Sequence, residues 1–524
     1  MKLREAFHPY LFAIYAVIGV FQINANDIPP SQIIRPMLTL IAITAVVNYL
    51  GFIYFKNIHR AALITSLLIF WGLYFGHVYR FASNFQVFEN IPGHRTIALV
   101  LWTIIIGSFA LPGVWRAFKN PSLLTKSLNV TSAAVLIIPV IVLSLVVRET
   151  AIQKTIMEQR QSQLDIKISP GSSNDPDIYY IIVDAYGRQD TLSKYYDCDN
   201  SALVDYLDSK GFYVAKNSQS NYMMTHLSLA SSLNFEYLND LESHFENSSN
   251  RGPYSFMIDH NRLRDYLSVK GYRFVNIESI AMFVRLRDAD IYLSPSSSPF
   301  NELELLLLTT SVADKFIETQ FSEVPLFNYE THRRLLKFQF DALANAADIE
   351  EKKFVFTHIW APHPPFVFDE NGNPIDSNRP YSGNDSNAFL GSNEEYINGY
   401  VGETTYINAQ IRNTVNVILE RSKTPPIIII QGDHGPGLYT SFVNVEKTCF
   451  EDRFSILNAY YFPDGDYSDL SADITPVNSF RAVLNKYFDA GLEQLENKYY
   501  YVTWLQPYQY VEVTGKTNQQ CDIP

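Results

Sequence analysis

The sequence predicts a helical membrane bundle of about five spans, followed by an α/β domain with a largely parallel sheet flanked by helices. Three observations predict this architecture. The first 150 residues contain five apolar stretches and carry 11 basic and 4 acidic residues, whereas the rest of the chain carries 30 basic and 50 acidic residues. After the apolar region, strand-like and helix-like segments alternate, which is typical of a parallel sheet covered by helices. A chain of 524 residues has room for both parts.

The apolar stretches are candidate membrane spans, because a spanning helix needs about 20 mostly apolar residues. They cover Pro9–Ile23, Met37–Phe55, Ala61–Phe75, Thr96–Trp115 and Thr131–Val147. The first stretch is short and could instead be a cleaved signal sequence. None of the five contains Asp, Glu or Lys, which disfavours an ion- or proton-coupled transporter.

Basic residues in the loops predict the orientation in the membrane. One side would hold Lys2, Arg4, Lys56, Arg60, Arg116, Lys119 and Lys126, and the other side Arg35, Arg80, Arg95 and Arg148. The positive-inside rule therefore places the N-terminus in the cytoplasm. Five crossings would then place everything after about residue 150 outside an inner (plasma) membrane, which makes this a multi-pass protein with an extracytoplasmic or periplasmic domain.

Composition shifts predict the domain limits. We expect a transmembrane domain over residues 1–150, a linker helix and turn over 151–176, the outer α/β domain over 177–505 and a C-terminal tail over 506–524. Ala151–Gln163 is predicted to be a polar helix leaving the membrane, and Ser169–Pro176 is a turn-rich boundary. The three cysteines cannot all pair, and none lies in a CxxC motif, which disfavours a zinc–cysteine site.

The outer domain shows alternating strand and helix patterns. The predicted strands are Asp177–Val183, Phe212–Ala215, Arg273–Ile277, Lys353–Ile359, Ile427–Ile430 and Phe454–Tyr461. The predicted helices are Ser201–Lys210, Thr225–Leu238, His260–Lys270, Arg333–Ala347, Asn393–Arg421 and Pro476–Phe488. Because this part carries 20 more acidic than basic residues, its surface would repel phosphate backbones, and a nucleic-acid partner is excluded.

Polar residues follow two of the apolar strands, and ligands of open α/β sheets bind beyond such carboxyl ends. Asp184 directly follows DIYYIIV, and Asp433 and His434 follow PPIIIIQG between Gly432 and Gly435. A carboxylate and an imidazole together suit a divalent cation such as Zn²⁺ or Mn²⁺. The alternative is an ordinary surface turn, in which Asp and Gly are common.

The segment FVFTHIWAPHPPF contributes two histidines. His358 lies inside the apolar run and is interpreted as a hydrogen-bonded core residue. His363 follows the strand between two prolines that restrict the backbone, and a site role is predicted for it. Arg188 closely follows Asp184 and is a candidate phosphate ligand, with an exposed ion pair as the equal alternative.

Thr225 is the candidate nucleophile. In NYMMTHLSLASSL it stands where a polar turn becomes a helix, and a helix N-terminus offers N–H groups and a positive dipole end to phosphate or sulfate. A nearby metal would activate its hydroxyl. The alternative is a helix cap. The competing hydroxyls of Ser228, Ser231 and Ser232 lie deeper in the helix, where they can bond to main-chain carbonyls.

These residues, taken in order, resemble the alkaline phosphatase superfamily. A strand ends in Asp, a Thr stands at a helix start about forty residues later, and a late strand ends in Asp-His-Gly. The segments IIVDAYGR, THLSLASSLN, HPPF, QGDHGPG and RFSILNAYYFP look like the sulfatase-like branch. Several membrane spans followed by an outward domain resemble the lipoteichoic acid synthases and the phosphoethanolamine and phosphoglycerol transferases. The resemblance covers about Asp177 to Asp489.

The resemblance implies one metal site, with Asp184, Thr225, Asp433 and His434 as ligands and Thr225 as the nucleophile. It implies that His363 contacts the substrate phosphate or protonates the leaving group. Thr225 lacks the Cys/Ser-x-Pro-x-Arg motif of formylglycine sulfatases, which disfavours sulfate ester hydrolysis by that route. No histidine follows His434, which disfavours a permanent second metal.

The sequence therefore predicts a membrane-anchored, metal-dependent enzyme of the bacterial cell envelope. It would move a phosphoethanolamine or phosphoglycerol head group from a phospholipid donor to an extracytoplasmic glycan or lipid-linked glycan through a covalent Thr intermediate. The expected cofactor is one divalent ion, Zn²⁺ or Mn²⁺, with Mg²⁺ or Ca²⁺ as alternatives. Two other functions stay open: a hydrolase of phosphate or sulfate esters that uses the same site, and a non-catalytic membrane-anchored binding domain.

Overall fold

A computed structural model describes residues 5–25, 28–83, 94–117, 119–161, 171–172, 175–295, 300–314, 316–317, 327–375, 379 and 381–521. The chain divides into two compact units. Unit 1 comprises Met1–Ile152, Ser296–Thr331 and Ser377–Tyr381. Unit 2 comprises Gln153–Pro295, His332–Asp376 and Ser382–Pro524. The chain thus passes five times from one unit to the other.

Unit 1 is helical. Its long helices are α1 (His8–Ile23), α2 (Ile34–Phe55), α3 (Ile58–Ser83), α4 (His94–Ala117) and α5 (Pro121–Gln161), whose last residues belong to unit 2. In the part of the chain that the structure describes, three helical stretches are long and apolar enough to cross a membrane: Pro30–Phe55, Ile58–Tyr79 and Pro121–Gln159. Two shorter apolar helices, His8–Ile23 and Arg95–Ser108, accompany them. Each of the five predicted apolar stretches is therefore helical, and the predicted number of five spans is approximate.

A later segment of the chain completes unit 1. Helix α12 (Glu302–Thr309) begins with a capping box in which Asn301 and Glu304 bond each other's backbone N–H. After it, the carbonyl of Thr310 accepts a hydrogen bond of 2.8 Å from the N–H of Gly76 in α3. A Cβ atom at Gly76 would lie 2.4 Å from that carbonyl oxygen, so only glycine allows this approach. The segment therefore packs directly on the backbone of α3.

Unit 2 contains a seven-stranded sheet in the order β2-β7-β6-β1-β5-β3-β4. Its strands are β1 (Ile178–Val183), β2 (Tyr213–Val214), β3 (Arg273–Ile277), β4 (Ile291–Leu293), β5 (Lys353–Ile359), β6 (Ile427–Gly432) and β7 (Asn458–Tyr461). The neighbours of β1, β3 and β5 are all parallel, and β7 is antiparallel to both β6 and β2. A small antiparallel pair, β8 (Tyr500–Tyr501) and β9 (Val511–Glu512), stands apart. The largely parallel α/β sheet predicted from the sequence is confirmed.

The helices of unit 2 connect and cover these strands. They are α6 (Gln189–Tyr196), α7 (Ser201–Ser209), α8 (Thr225–Asn234), α9 (Glu242–Phe245), α10 (Gly252–Asp259), α11 (Arg262–Val269), α13 (Tyr329–Asn345, whose first three residues belong to unit 1), α14 (Asn393–Arg421), α15 (Phe450–Phe454) and α16 (Pro476–Phe488). Strands β1, β5 and β6 are buried over their whole length, because a central parallel strand has helices on both faces. This burial explains why these strands read as continuous apolar runs.

Two local differences from the sequence prediction stand out. The stretch predicted as one strand over Phe454–Tyr461 is divided: α15 ends at Phe454, and β7 begins only at Asn458. Between them Ser455 and Ile456 form isolated bridges to Gln219 and Gly187 instead of joining the sheet. The polar residues after Ala151 continue α5 without a break rather than forming a separate helix.

The register of the central strands fixes where the functional residues meet. Val183, the last residue of β1, is paired with Ile359 at the end of β5 and with Gly432 at the end of β6. The residues that follow these three strands therefore share one edge of the sheet. They are Asp184 after β1, the segment containing His363 after β5, and Asp433 with His434 after β6.

Candidate metal centre and nucleophile

Asp184, Asp433 and His434 form a buried cluster at this edge of the sheet, and each is only 1% exposed. Nε2 of His434 lies 3.5 Å from Oδ1 of Asp184 and 3.4 Å from Oδ2 of Asp433. One ligand atom from each residue can be chosen so that all three lie within 4.8 Å of one another. The three residues are thus spaced so that a single ion can contact all of them.

Each carboxylate in this cluster has one oxygen in contact with a neighbouring protein group and one buried oxygen without a hydrogen-bond partner. Oδ1 of Asp433 accepts backbone N–H bonds from Ala185 (3.1 Å) and His434 (3.0 Å), while Oδ2 is buried without a hydrogen-bond partner. Oδ2 of Asp184 lies 3.4 Å from Nε2 of His358, while Oδ1 is buried without a partner. Buried polar atoms rarely stay unsatisfied. The two unpaired oxygens therefore fit a cation that both would bind.

The imidazole of His434 is oriented to complete that ligand set. Its Nδ1 lies 2.9 Å from the carbonyl oxygen of Gly435, and because a carbonyl only accepts, Nδ1 carries the proton. Nε2 then presents its lone pair to the cluster, the arrangement that a metal-binding histidine uses. Two carboxylate oxygens and one imidazole nitrogen suit Zn²⁺ or Mn²⁺.

Protonation states in the cluster also favour a cation. Burial alone would raise the pKa of the Asp184 carboxyl, but attraction to the neighbouring histidines, led by His363, outweighs it and lowers that pKa. Burial lowers the pKa of His434, and the nearby Arg453 guanidinium lowers it further. An ionised carboxylate and a neutral imidazole are the forms that bind metal ions.

Thr225 places its hydroxyl in the same cluster. It is the first residue of α8, and Met224 occupies the N-cap position, so Thr225 does not cap the helix. Its Oγ1 lies 3.2 Å from Nε2 of His434. The N–H groups of the first turn have no partner within a helix, and they point with the positive dipole end toward the same place. The hydroxyl therefore sits where a metal ion and an anionic group could both reach it.

The competing serines of α8 are engaged elsewhere. Ser228 donates to the carbonyl of Asp433 (2.7 Å), Ser231 to that of Glu236 (2.6 Å) and Ser232 to that of Leu229 (3.4 Å). Each of these hydroxyls is thus bound to a main-chain carbonyl. Thr225 differs from them because its hydroxyl faces the His434 ring.

His363 faces the cluster from the segment after β5. Its Nδ1 lies 2.6 Å from the carbonyl oxygen of Pro364, and its ring packs edge-on against Trp360 at 4.9 Å. The centres of the His363 and His434 rings are 6.4 Å apart. Because Nδ1 donates to a carbonyl, Nε2 is the atom available for proton transfer. The ring is 8% exposed, so it lies at the border between the buried cluster and solvent.

Two charged residues near His363 were not predicted from the sequence. Oδ2 of Asp385 lies 3.7 Å from Nε2 of His363 and 3.3 Å from Nη1 of Arg453. Arg453 also donates to the carbonyls of Met223 (2.9 Å) and Gly435 (3.0 Å). This buried cation therefore joins the turn before Thr225 to the turn after His434. Arg453 lies in the motif RFSILNAYYFP, which was the only signal that could have identified it.

Arg188 is not brought into the cluster. Its guanidinium donates to both carboxylate oxygens of Asp190 (2.7 and 2.9 Å) and to the carbonyl of Ser218 (3.0 Å). These contacts correspond to the ion pair that the sequence left open as an alternative. A role of Arg188 in substrate binding stays a prediction.

Comparisons with known proteins add the following findings. The family model described as Sulfatase matches residues 176–482, which is more than half of the chain. A search of curated proteins finds no match.

The chain is similar to several solved structures, among them a phosphoethanolamine transferase and a sulfatase. The C-terminal periplasmic domain of EcEptC from Escherichia coli is 14% identical, with 67% of this chain and 100% of that chain covered and a TM-score of 0.42. The integral membrane protein lipooligosaccharide phosphoethanolamine transferase A (EptA) from Neisseria meningitidis is 11% identical, with 92% and 94% covered and a TM-score of 0.37. A 2-O GAG sulfatase is 14% identical, with 66% and 75% covered and a TM-score of 0.40.

Proposed function

Because the chain belongs to the Sulfatase family, we propose that it is a membrane-anchored, metal-dependent phosphotransferase. It takes a phosphoethanolamine or phosphoglycerol head group from a phospholipid and passes it to an extracytoplasmic glycan or lipid-linked glycan. One observation carries the proposal: the hydroxyl of Thr225, at a helix N-terminus, lies beside Nε2 of His434 and is not used as a cap. The apolar helices support a lipid donor, since an anchored enzyme meets membrane lipids at high effective concentration.

The proposed metal ligands are Asp184, Asp433, His434 and Thr225, and the metal is Zn²⁺ or Mn²⁺, with Mg²⁺ or Ca²⁺ as alternatives. When bound, the cation would lower the pKa of the Thr225 hydroxyl and offset charge on the phosphate oxygens. The unpaired oxygens of Asp184 and Asp433 support this assignment.

In the first half-reaction Thr225 gives its hydroxyl proton to solvent and its Oγ1 forms a bond to phosphorus, while the bond between phosphorus and the diacylglycerol oxygen breaks. The N–H groups at the start of α8 bind the phosphate oxygens as charge develops on them. His363 donates a proton from Nε2 to the departing diacylglycerol oxygen. The Asp385 carboxylate lies 3.7 Å from that nitrogen.

The second half-reaction restores the enzyme. A sugar hydroxyl of the acceptor attacks the phosphorus of the Thr225 phosphodiester and gives its proton to His363. The bond between Thr225 Oγ1 and phosphorus breaks, and Oγ1 takes a proton back from solvent, which restores the hydroxyl. If water replaces the sugar, the same residues give hydrolysis, so the acceptor decides between the two outcomes.

We also propose that the N-terminus is cytoplasmic and that unit 2 lies outside the inner membrane. The basic residues of the alternate loops support this orientation. The disulfide between Cys449 and Cys521 supports it as well, because such bonds persist in oxidising compartments.

The test uses the full chain in lipid nanodiscs that contain phosphatidylethanolamine and phosphatidylglycerol, loaded with Zn²⁺ or Mn²⁺. We expect a head-group phosphate adduct on the peptide containing Thr225, with a mass that identifies the donor. Thr225→Ala should abolish the adduct, Thr225→Ser should retain part of it, and Ser228→Ala serves as the control that should leave it in place. Bound metal without an adduct, together with released head group, would favour the hydrolase. Neither metal nor adduct would favour the binding domain.

A further inference from the structure

His358 contacts the candidate metal centre although it lies inside the apolar strand β5. In the register of the sheet His358 is paired with Ile182, two residues before Asp184. Side chains two residues apart in a strand share a face, so the His358 ring is a diagonal neighbour of the Asp184 carboxylate. Its Nε2 lies 3.4 Å from Asp184 Oδ2, and the residue is 1% exposed.

The other ring nitrogen of His358 fixes which atom carries the proton. Nδ1 lies 3.2 Å from Oγ of Ser279, which itself accepts the N–H of Ala281 at 3.2 Å. Nε2 makes no hydrogen bond, and its 3.4 Å contact with Asp184 Oδ2 is that of an ion pair. Because the carboxylate can only accept, a proton on Nε2 would face it favourably. In the neutral ring Nδ1 then accepts, and Ser279 donates its hydroxyl proton to it. Ser279 therefore orients the His358 ring through a hydrogen bond, and Nε2 of that ring faces the Asp184 carboxylate.

The position of the His358 ring explains why the two oxygens of Asp184 have different surroundings. Oδ2 lies 3.4 Å from His358 Nε2, and Oδ1 has no hydrogen-bond partner and lies 3.5 Å from His434 Nε2. The two oxygens of Asp433 differ in the same way, but there two backbone N–H groups bind Oδ1. Without His358 the Asp184 carboxylate could rotate, and either oxygen could turn away from the ion.

We propose that His358, oriented by Ser279, is a positioning residue that holds Asp184 in the conformation required to bind the metal ion. The inference rests on the proposed metal site but not on the substrate or on the Thr225 intermediate. Partners that orient the ligands of a metal ion commonly contribute 10- to 100-fold to its affinity. The sequence interpretation of His358 as a hydrogen-bonded core histidine holds for Nδ1, which contacts Ser279. Nε2 makes no hydrogen bond and faces a candidate metal ligand.

The test measures Zn²⁺ affinity of the full chain by competition with a chelator, after metal removal. We expect His358→Leu, which fills the space without a donor, to weaken Zn²⁺ binding by about 10- to 100-fold. His358→Gln keeps an N–H near the position of Nε2 and should recover most of that loss. Ser279→Ala should give a smaller loss, because the ring keeps its contact with Asp184. Co²⁺ loaded in place of Zn²⁺ should show an altered visible spectrum in His358→Leu and a near-normal one in His358→Gln.

Gln339→Leu is the matched control. Gln339 is 1% exposed and donates to the backbone carbonyl of His358 at 2.8 Å. Its replacement disturbs the same position of β5 without touching the imidazole, so it should lower thermal stability and leave Zn²⁺ affinity within about twofold, well short of a 10-fold effect.

Four outcomes would overturn the proposal. His358→Leu could bind Zn²⁺ as tightly as the wild type, or His358→Gln could be as weak as His358→Leu, which would assign the effect to ring shape. A loss far above 100-fold in both variants would make His358 a ligand itself. If the wild type bound no stoichiometric metal, there would be no metal centre for His358 to support. Metal binding without a Thr225 adduct would instead contradict only the proposed transferase, and the His358 comparison would stand.

Discussion

At the scale of single residues, the cluster consists of side chains whose remaining polar atoms are directed to one place. Asp184, Asp433 and His434 each have one polar atom engaged by the protein and a second atom directed to a shared centre. Without a cation such a centre would be costly, because buried carboxylate oxygens there lack partners. A metal ion would therefore stabilise the folded protein as well as support chemistry.

Asp433→Asn should separate these two effects. The amide oxygen can still accept the N–H bonds of Ala185 and His434, but an NH₂ group would then replace the oxygen that faces the ion. We expect the metal-free variant to be at least as stable as the metal-free wild type and to lose the stabilisation by Zn²⁺. For the wild type that stabilisation is about 2.7 kcal/mol at a Zn²⁺ concentration 100 times Kd. Thermal unfolding with and without Zn²⁺ checks this, and an equal shift in both proteins would contradict it.

Most of the residues that meet in the cluster could be predicted from the sequence, because strand ends and a helix start are local patterns. Asp184, Asp433 and His434 follow buried strands, and Thr225 begins α8. Asp385 could not be predicted in this way, because it lies in a segment without periodicity. Only its contacts with His363 and Arg453 in the folded protein identify it as part of the site.

At the scale of elements, sharp turns rather than long helices position the site. After β6 the chain turns at Gly435, where a Cβ atom would lie 2.1 Å from the carbonyl oxygen of Asp452. The turn therefore packs directly on the backbone of α15, and the same helix contributes Arg453. A sequence pattern can indicate that glycine favours a turn, but it cannot indicate which backbone the turn approaches.

Gly435→Ala should therefore disrupt this turn. The methyl group must displace main-chain atoms of Asp452 and Ser455, and we expect a loss of about 3 kcal/mol in the free energy of unfolding, together with weaker Zn²⁺ binding. Gly402→Ala is the control, because its Cβ would meet its nearest neighbour at an ordinary 3.5 Å inside α14. Alanine there should stabilise the helix by up to about 1 kcal/mol. Equal effects of the two substitutions in chemical denaturation would refute this account.

Helix α14 also holds the segment that follows His363. Oε1 of Glu403 accepts backbone N–H bonds from Val367 (2.9 Å) and Phe368 (3.3 Å), and the side chain is fully buried. Burial raises the pKa of Glu403 from 4.5 to about 8. The carboxyl is therefore mostly protonated at neutral pH in the folded protein and ionised in the unfolded chain.

This pKa shift gives a prediction for stability. The contribution of Glu403 to the free energy of unfolding is complete below pH 4.5 and is lost as the pH rises through about 8, because the folded state holds a proton that the unfolded state has released. Glu403→Gln cannot ionise, so its stability relative to the wild type should rise with pH, by at most about 1.4 kcal/mol per pH unit. Thermal unfolding of both proteins from about pH 5.5 to 8.5 checks this, and parallel curves would contradict it.

At the scale of the whole molecule, long-range links tie distant parts of the chain to the site. The disulfide between Cys449 and Cys521 joins residues 72 positions apart and fastens the C-terminal segment next to α15. The sequence left the pairing of its three cysteines open, because pairing depends on proximity that only the fold creates. Cys198 is free and buried.

Removal of this disulfide should destabilise unit 2. Closing a loop of this length in the unfolded chain corresponds to about 4 kcal/mol. We expect Cys521→Ser to lose that amount and the wild type to lose a similar amount on reduction, measured by chemical denaturation. Cys198→Ala is the control and should respond to reductant as the wild type does. No effect of reductant on the wild type would contradict the pairing.

The five passages of the chain between the units have a consequence for biogenesis. Ser296–Thr331 belongs to unit 1, where Thr310 bonds to Gly76 and Asp314 pairs with Arg95, yet this segment is synthesised after four strands of the sheet in unit 2. The helical unit therefore cannot finish folding when its last long helix leaves the ribosome. It must wait, partly assembled, until Tyr381 has been synthesised, so a folding factor that protects α3 during this interval would act before the sheet of unit 2 is complete.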